Sequence, residues 1–137
     1  MLKVLRVSND MVSFEIPLAL HVLEICGDSG EGKTLLYNLL KEKKSQDSLP
    51  FKCVLINYEN RVDLRNLIDT DALYVIDDAD LILQAMPEAV NIINTAPAQF
   101  ILLGRDFTGI ECNLNACGYL TEKDHKIIFK SLFQRLP

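Results

Sequence analysis

The chain has 137 residues, of which 49% are apolar and 24% charged, with a formal net charge of −5. That length fits one domain able to bury roughly two thirds of its unfolded surface, so neither a disulfide nor a structural metal is required. The composition excludes collagenous, low-complexity and disordered classes, and the acidic balance argues against broad contact with a nucleic-acid backbone, which clustered Lys and Arg would hold.

Residues 1–7 carry Lys3 and Arg6 and lack a long apolar core, so no signal peptide is expected. No apolar run approaches the ~20 residues needed to span a bilayer, and the expected location is the cytoplasm. Residues 2–7 and 12–18 are β-prone and flank the turn signal Ser8-Asn9-Asp10, which predicts a hairpin. Residues 21–26 form a short apolar run that ends at a glycine-rich loop. Residues 34–44 place Leu35, Leu36, Leu39 and Leu40 at helical spacing. Lys41, Lys43 and Lys44 close that helix, where cations suit the negative end of the dipole.

A polar loop at 45–50 leads to a second apolar run, 52–57, then to a short helix over 62–68. Residues 73–77 are a third run that ends in acids. Residues 79–95 read as helical, with Pro87 interrupting and able to open a second helix at its first turn. Residues 99–103 are a fourth run and 116–120 a short fifth strand. From Thr121 a final helix is predicted to about residue 136: Thr121 and Asp124 have capping spacing, and Ile128, Phe129, Leu132 and Leu136 recur at helical intervals. Short unalternated apolar runs separated by helices indicate a parallel sheet buried on both faces. The expected class is therefore three-layer α/β/α with a mostly parallel sheet and an N-terminal β-hairpin addition.

The chemistry concentrates in Gly27-Asp28-Ser29-Gly30-Glu31-Gly32-Lys33-Thr34, which matches G-x-x-x-x-G-K-[ST] between a predicted strand and a predicted helix. Glycines let successive backbone N–H groups turn inward, and the helix start adds unpaired N–H groups and a positive dipole end. Lys33 would neutralise the β- and γ-phosphates of a nucleotide, and the Thr34 hydroxyl would ligate Mg²⁺. Asp28 and Glu31 are electrostatically unhelpful there and are expected to face solvent. The strand 73–77 delivers Asp77 and Asp78 at its carboxyl end. In a parallel sheet that end shares an edge with the phosphate loop, which suits Asp77 to the metal through water and Asp78 to the attacking water. The competing role is an N-cap, with Asp77, Asp78 or Asp80 starting the next helix. Arg105, after strand 99–103, is either a γ-phosphate contact or a surface arginine in a turn.

Cys26 and Cys53 lie in apolar runs and read as small buried hydrophobes. Cys112 and Cys117, spaced C-x4-C with His125 beyond, lack the second ligand pair a tetrahedral zinc site needs. Free thiols are the better reading.

In this order, 27–34, 73–78 and 100–105 resemble the additional-strand branch of the P-loop NTPases, most closely the AAA and signal-transducing (STAND, NB-ARC-like) ATPases. Leu120-Thr121-Glu122 leading into Phe129 also resembles the strand-to-helix step of NB-ARC domains. The resemblance covers roughly residues 20–133. It implies a P-loop NTPase fold in a single domain, with residues 1–20 a β extension and 21–137 the nucleotide-binding core. It also implies ATP and Mg²⁺ as ligands, slow hydrolysis, and catalytic roles for Lys33, Asp78 and Arg105. A chain ending in one final helix would lack the helical lid of those families, so a protein partner or a second copy is expected to complete the site. That would make the alternative a regulatory binding module. No L-S-G-G-Q-type signature appears, which disfavours an ABC transporter ATPase. No N-K-x-D-type motif appears, which disfavours GTP; Asn57-Tyr58-Glu59-Asn60 does not supply one. A small-molecule kinase ranks last, because Arg6, Arg61, Arg65, Arg105 and Arg135 are not clustered as a lid.

Overall fold

The computed structural model describes residues 2–18, 21–27, 32–67 and 69–134. Eight strands form one sheet: β1 (Val4–Ser8), β2 (Ser13–Pro17), β3 (Val22–Ile25), β4 (Cys53–Ile56), β5 (Leu73–Ile76), β6 (Gln99–Leu103), β7 (Ala116–Lys123) and β8 (Lys126–Gln134). Their spatial order is β1-β2-β8-β7-β3-β6-β5-β4. Three helices, α1 (Lys33–Ser45), α2 (Ala79–Ala85) and α3 (Glu88–Thr95), and a short 3₁₀ helix at Arg61–Arg65 complete the chain.

β3, β5 and β6 are buried along their whole length. Alternate residues enter two separate cores, as a two-residue side-chain period requires. Leu23, Ile25, Leu73, Val75, Ile101 and Leu103 pack with Leu36, Leu39 and Leu40 of α1. Val22, Ile56, Tyr74, Ile76, Phe100 and Leu102 pack with Ile82 and Leu83 of α2 and Ile93 of α3. Phe100 anchors the second core, stacked on Tyr74 at 5.3 Å and edge-on to His21 at 5.8 Å between ring centroids. Such contacts are worth about 0.5–1.5 kcal/mol each beyond the area they bury.

The sheet curls at its other end. Leu5, Val7, Phe14, Ile16 and Leu18 of the β1–β2 hairpin region join the α1 core, so the hairpin packs beside α1. The buried Gln99 side chain locks this arrangement. Its amide nitrogen donates to the Leu2 and Leu18 carbonyls at 2.7 and 2.8 Å, and its oxygen accepts from the Leu2 N–H at 2.9 Å.

The predicted three-layer α/β/α P-loop fold with a mostly parallel sheet is corrected by this topology. The sheet is mixed: β3, β4, β5, β6 and β7 run parallel, whereas β1–β2 and β7–β8 are antiparallel hairpins. The helix predicted from Thr121 is instead the end of β7, a two-residue turn and β8. Lys123 pairs with Lys126, and the central Asp124 and His125 have φ of 53° and 66°. Two successive left-handed residues define a turn whose twist matches a β-hairpin. Ile127, Ile128 and Phe129 then enter the sheet between β7 and β2, a pleated setting that favours β-branched and aromatic side chains. Gly118 makes the pairing possible. A Cβ there would overlap the Lys130 carbonyl and sit 2.6 Å from the Phe129 ring, at an irregularity in register between Cys117 and Gly118.

Candidate functional site

The parallel strands bring their carboxyl ends to one edge. Ile25 pairs with Leu103, Ile76 with Leu102, and Ile56 with Ile76. The residues that follow each strand therefore converge: Gly27 after β3, Asp77 and Asp78 after β5, and Gly104 and Arg105 after β6. The Asp77 N–H donates to the Ile56 carbonyl at 2.8 Å, and the Gly104 N–H to the Ile25 carbonyl at 3.1 Å.

Of the predicted phosphate loop, Gly27, Gly32, Lys33 and Thr34 lie within the described residues; Asp28, Ser29, Gly30 and Glu31 lie outside them. Gly32 caps α1 with φ 100°, a left-handed conformation that glycine adopts without a steric cost. A Cβ there would also touch Leu120 at 3.5 Å. Lys33, the first residue of α1, is buried, and its ammonium donates to the Gly27 carbonyl across the base of the loop. Thr34 is exposed in the first turn.

Asp77 is half-buried. Burial pushes its carboxyl above the usual carboxylate range and the adjacent Asp78 charge adds to that, while the Asp78 N–H and the Lys33 ammonium pull the other way. A half-buried carboxyl crowded by other acids is a donor that a hard cation would relieve, and a carboxylate and a hydroxyl are the kinds of oxygen donor Mg²⁺ takes. Asp78 is exposed and left-handed, with φ 50°, and stands immediately before α2 without a side-chain capping bond. Its side chain is thus not consumed by the N-cap role.

That role of anchor belongs to Asp80, which sequence reading treated only as a possible cap. It is buried, and its Oδ2 accepts from the Arg105 and Asp106 N–H groups at 3.1 Å each, fastening the loop after β6 to α2. Arg105 itself is exposed on the same edge. Asn57 folds its own loop, its Oδ1 accepting from Glu59 at 2.9 Å and Asn60 at 3.1 Å.

The structure adds a groove that the sequence did not suggest. A cavity of about 730 Å³ opens between the start of α1 and the β7–β8 hairpin, within the range of small-ligand sites. Leu35, Leu120 and Ile127 give it apolar surface, and Thr34, Asn38 and Tyr119 give it polar groups. It was illegible because Thr121, Glu122 and Ile127 of its lining fall where a helix was expected. His125 occupies the hairpin turn, at the opposite end of β7 from Cys117.

Among the described residues no helix is long and apolar enough to cross a membrane. No protein-family model matches the chain, and no curated protein matches its sequence.

Proposed function

We propose that this chain is a cytoplasmic, Mg²⁺-dependent ATP-binding protein that hydrolyses ATP slowly. The observation that supports it is the convergence of Gly27, Lys33, Thr34 and the Asp77–Asp78 pair on one sheet edge, with buried Lys33 electrostatically coupled to Asp77. The resemblance to additional-strand ATPases enters through the order of motifs, not through fold class: β6, with Arg105 after it, lies between the loop-bearing β3 and the acid-bearing β5.

In this reading the amides of 27–34 cradle the phosphates, and Lys33 exchanges its Gly27 carbonyl for phosphate oxygens. Thr34, and Asp77 through water, would hold Mg²⁺, which would supply charge neutralisation. Asp78 orients the attacking water and Arg105 contacts the γ-phosphate; the adjoining groove takes the base and sugar. Adenine is preferred over guanine because no guanine-reading motif is present. Catalysis of this kind is charge stabilisation and positioning.

Calorimetric titration with ATP, ADP and GTP, with and without Mg²⁺, tests it. Lys33→Ala weakens ATP binding at least about a hundredfold, the ~3 kcal/mol of a charge-assisted contact made in a buried setting. Asp78→Asn retains binding and loses turnover; unchanged phosphate release would remove Asp78 from the mechanism. Wild-type affinity in Lys33→Ala would refute the site.

The exposure of Thr34, Asp78 and Arg105 favours a second reading, a nucleotide-binding module whose open site is completed by a protein partner or a second copy. Turnover by the protein alone decides between them: a rate well above ~10⁻³ s⁻¹, the scale of unassisted GTPases, selects the enzyme.

A further inference from the structure

We propose that Glu24, Cys26 and Cys117 form a site for a thiophilic divalent cation, Zn²⁺ first, on the sheet face opposite α1. Glu24 and Cys26 are two apart on β3 and its continuation, so both point to that face. Cys117 pairs in register with Glu24 on the parallel neighbour β7 and points the same way. The Cys26 N–H donates to the Gly118 carbonyl at 2.8 Å, so backbone pairing fixes the cluster.

The spacing is that of a coordination shell. The two sulfurs lie 3.9 Å apart, Cys26 Sγ is 3.1 Å from Glu24 Oε1, and all three ligand atoms fall within 4.8 Å of one another. Zinc–sulfur bonds of ~2.3 Å and zinc–oxygen bonds of ~2.0–2.2 Å place tetrahedral ligands about 3.8 Å apart for two sulfurs and about 3.5 Å for sulfur and oxygen. A cation therefore enters without backbone movement. Two thiolates and one carboxylate select a borderline-soft ion over Mg²⁺.

The setting asks for positive charge. Glu24 is 6% exposed, and the charge of another acid, Asp80, bears on it unfavourably. Cys26 and Cys117 are only partly buried, which leaves the cluster near the surface. A water molecule takes the fourth position. The competing fates of the cluster are a hydrogen-bonded group that binds nothing and a Cys26–Cys117 disulfide, which would require the sulfurs to close to ~2.05 Å. Because Cys26 adjoins Gly27, the bound ion would clip the stem of the glycine loop to β7. The proposal stands independently of nucleotide binding.

The full chain, reduced and stripped of metal with a chelator, is titrated with Co²⁺ and then Zn²⁺ while the absorption spectrum is recorded. One equivalent of Co²⁺ gives near-ultraviolet thiolate charge-transfer bands from two sulfurs and visible bands of tetrahedral cobalt, both bleached by Zn²⁺. Cys26→Ser and Cys117→Ser each weaken binding beyond the ~10–100-fold typical of losing a ligand's supporting partner. Cys53→Ser, in the other core, leaves it unchanged. Lys33→Ala also keeps full metal affinity, so failure of the nucleotide site and of this one are told apart. Serine is close to isosteric with cysteine, and circular dichroism of each variant verifies the fold. Absence of saturable binding, retention of the thiolate bands in both Cys26→Ser and Cys117→Ser, or reduced protein that yields only the disulfide would each overturn the proposal.

Discussion

Replacing Asp80 by alanine probes the edge most directly, because one buried carboxylate holds two elements together. Its Oδ2 accepts from the Arg105 and Asp106 N–H groups, both at 3.1 Å, and Asp80 is 7% exposed. Hydrogen bonds to an ionised acceptor contribute about 1.5–3 kcal/mol each. The two here share one oxygen, and the exposed loop can regain water for its amides after moving. The expected loss is therefore about 3 kcal/mol rather than the full sum. For a domain of this length that lowers the melting midpoint by roughly 10 °C. The chain has four tyrosines and no tryptophan, so urea unfolding is best followed by far-ultraviolet circular dichroism. Asp80→Asn keeps one carbonyl oxygen of the same shape and should lose about half as much. Gly104→Ala reaches the same contact from the other side, since its Cβ would lie 2.9 Å from Asp80 Cγ and 2.6 Å from the Phe107 ring. A loss below ~0.5 kcal/mol in Asp80→Ala, or equal losses in the Ala and Asn variants, would show that these bonds do not fasten the loop.

The remaining expectations concern the hairpins and the groove. Gly118→Ala forces a methyl into the Lys130 carbonyl and the Phe129 ring and should cost at least about 2 kcal/mol by thermal or urea unfolding; Gly109→Ala, with nothing within 4 Å but φ 82°, should cost only the ~1–2 kcal/mol of a left-handed residue. Glu15 lies between Arg6 and Lys126, each at 3.2 Å, and Lys126 first and Arg6 second hold its carboxyl below the usual value of 4.5. A folded pKa below the unfolded one gives stability present above about pH 4.5 and lost as pH falls through the folded value. Acid titration of Glu15→Gln should therefore show a flatter low-pH limb than wild type, and added salt should shrink the difference because the groups are exposed. Leu35→Glu adds a charge to the groove in the first turn of a helix, where an acid is tolerated. It should leave stability within ~0.5 kcal/mol while weakening nucleotide binding about tenfold, the ~1.4 kcal/mol of one lost apolar contact, as read by calorimetry.

What was legible in the sequence follows from which signals are local. β3, β5 and β6 are buried on both faces, so they read as unbroken apolar runs, and each is found within a residue or two of its predicted position. Because those runs stop where the strands stop, Gly27 and Asp77 fall on the same sheet edge, as parallel strands require. The segment after Thr121 failed for a different reason. Ile128, Phe129 and Leu132 satisfy a helical period as well as a strand, and Asp124-His125 is not the Asn-Gly pair that announces a tight hairpin. What decided the outcome was pairing with β2 and β7, which no local window contains.

That one missed hairpin explains the other omissions. β7 alternates its side chains, so Cys117 faces the buried Glu24 while Leu120 faces Gly32 and the groove. With β8 read as a helix, Leu120 and Ile127 could not be seen as groove lining. Cys117 could be compared only with its sequence neighbour Cys112 and not with Cys26, 91 positions away and 3.9 Å distant. Gly118 sits between the two settings, where the register shifts. That residue adjoins both: its carbonyl accepts from the Cys26 N–H, and Leu120, two residues on, lies against Gly32 at the groove. The loop stem at Gly27 and the helix start at Gly32 thus both adjoin the same stretch of β7.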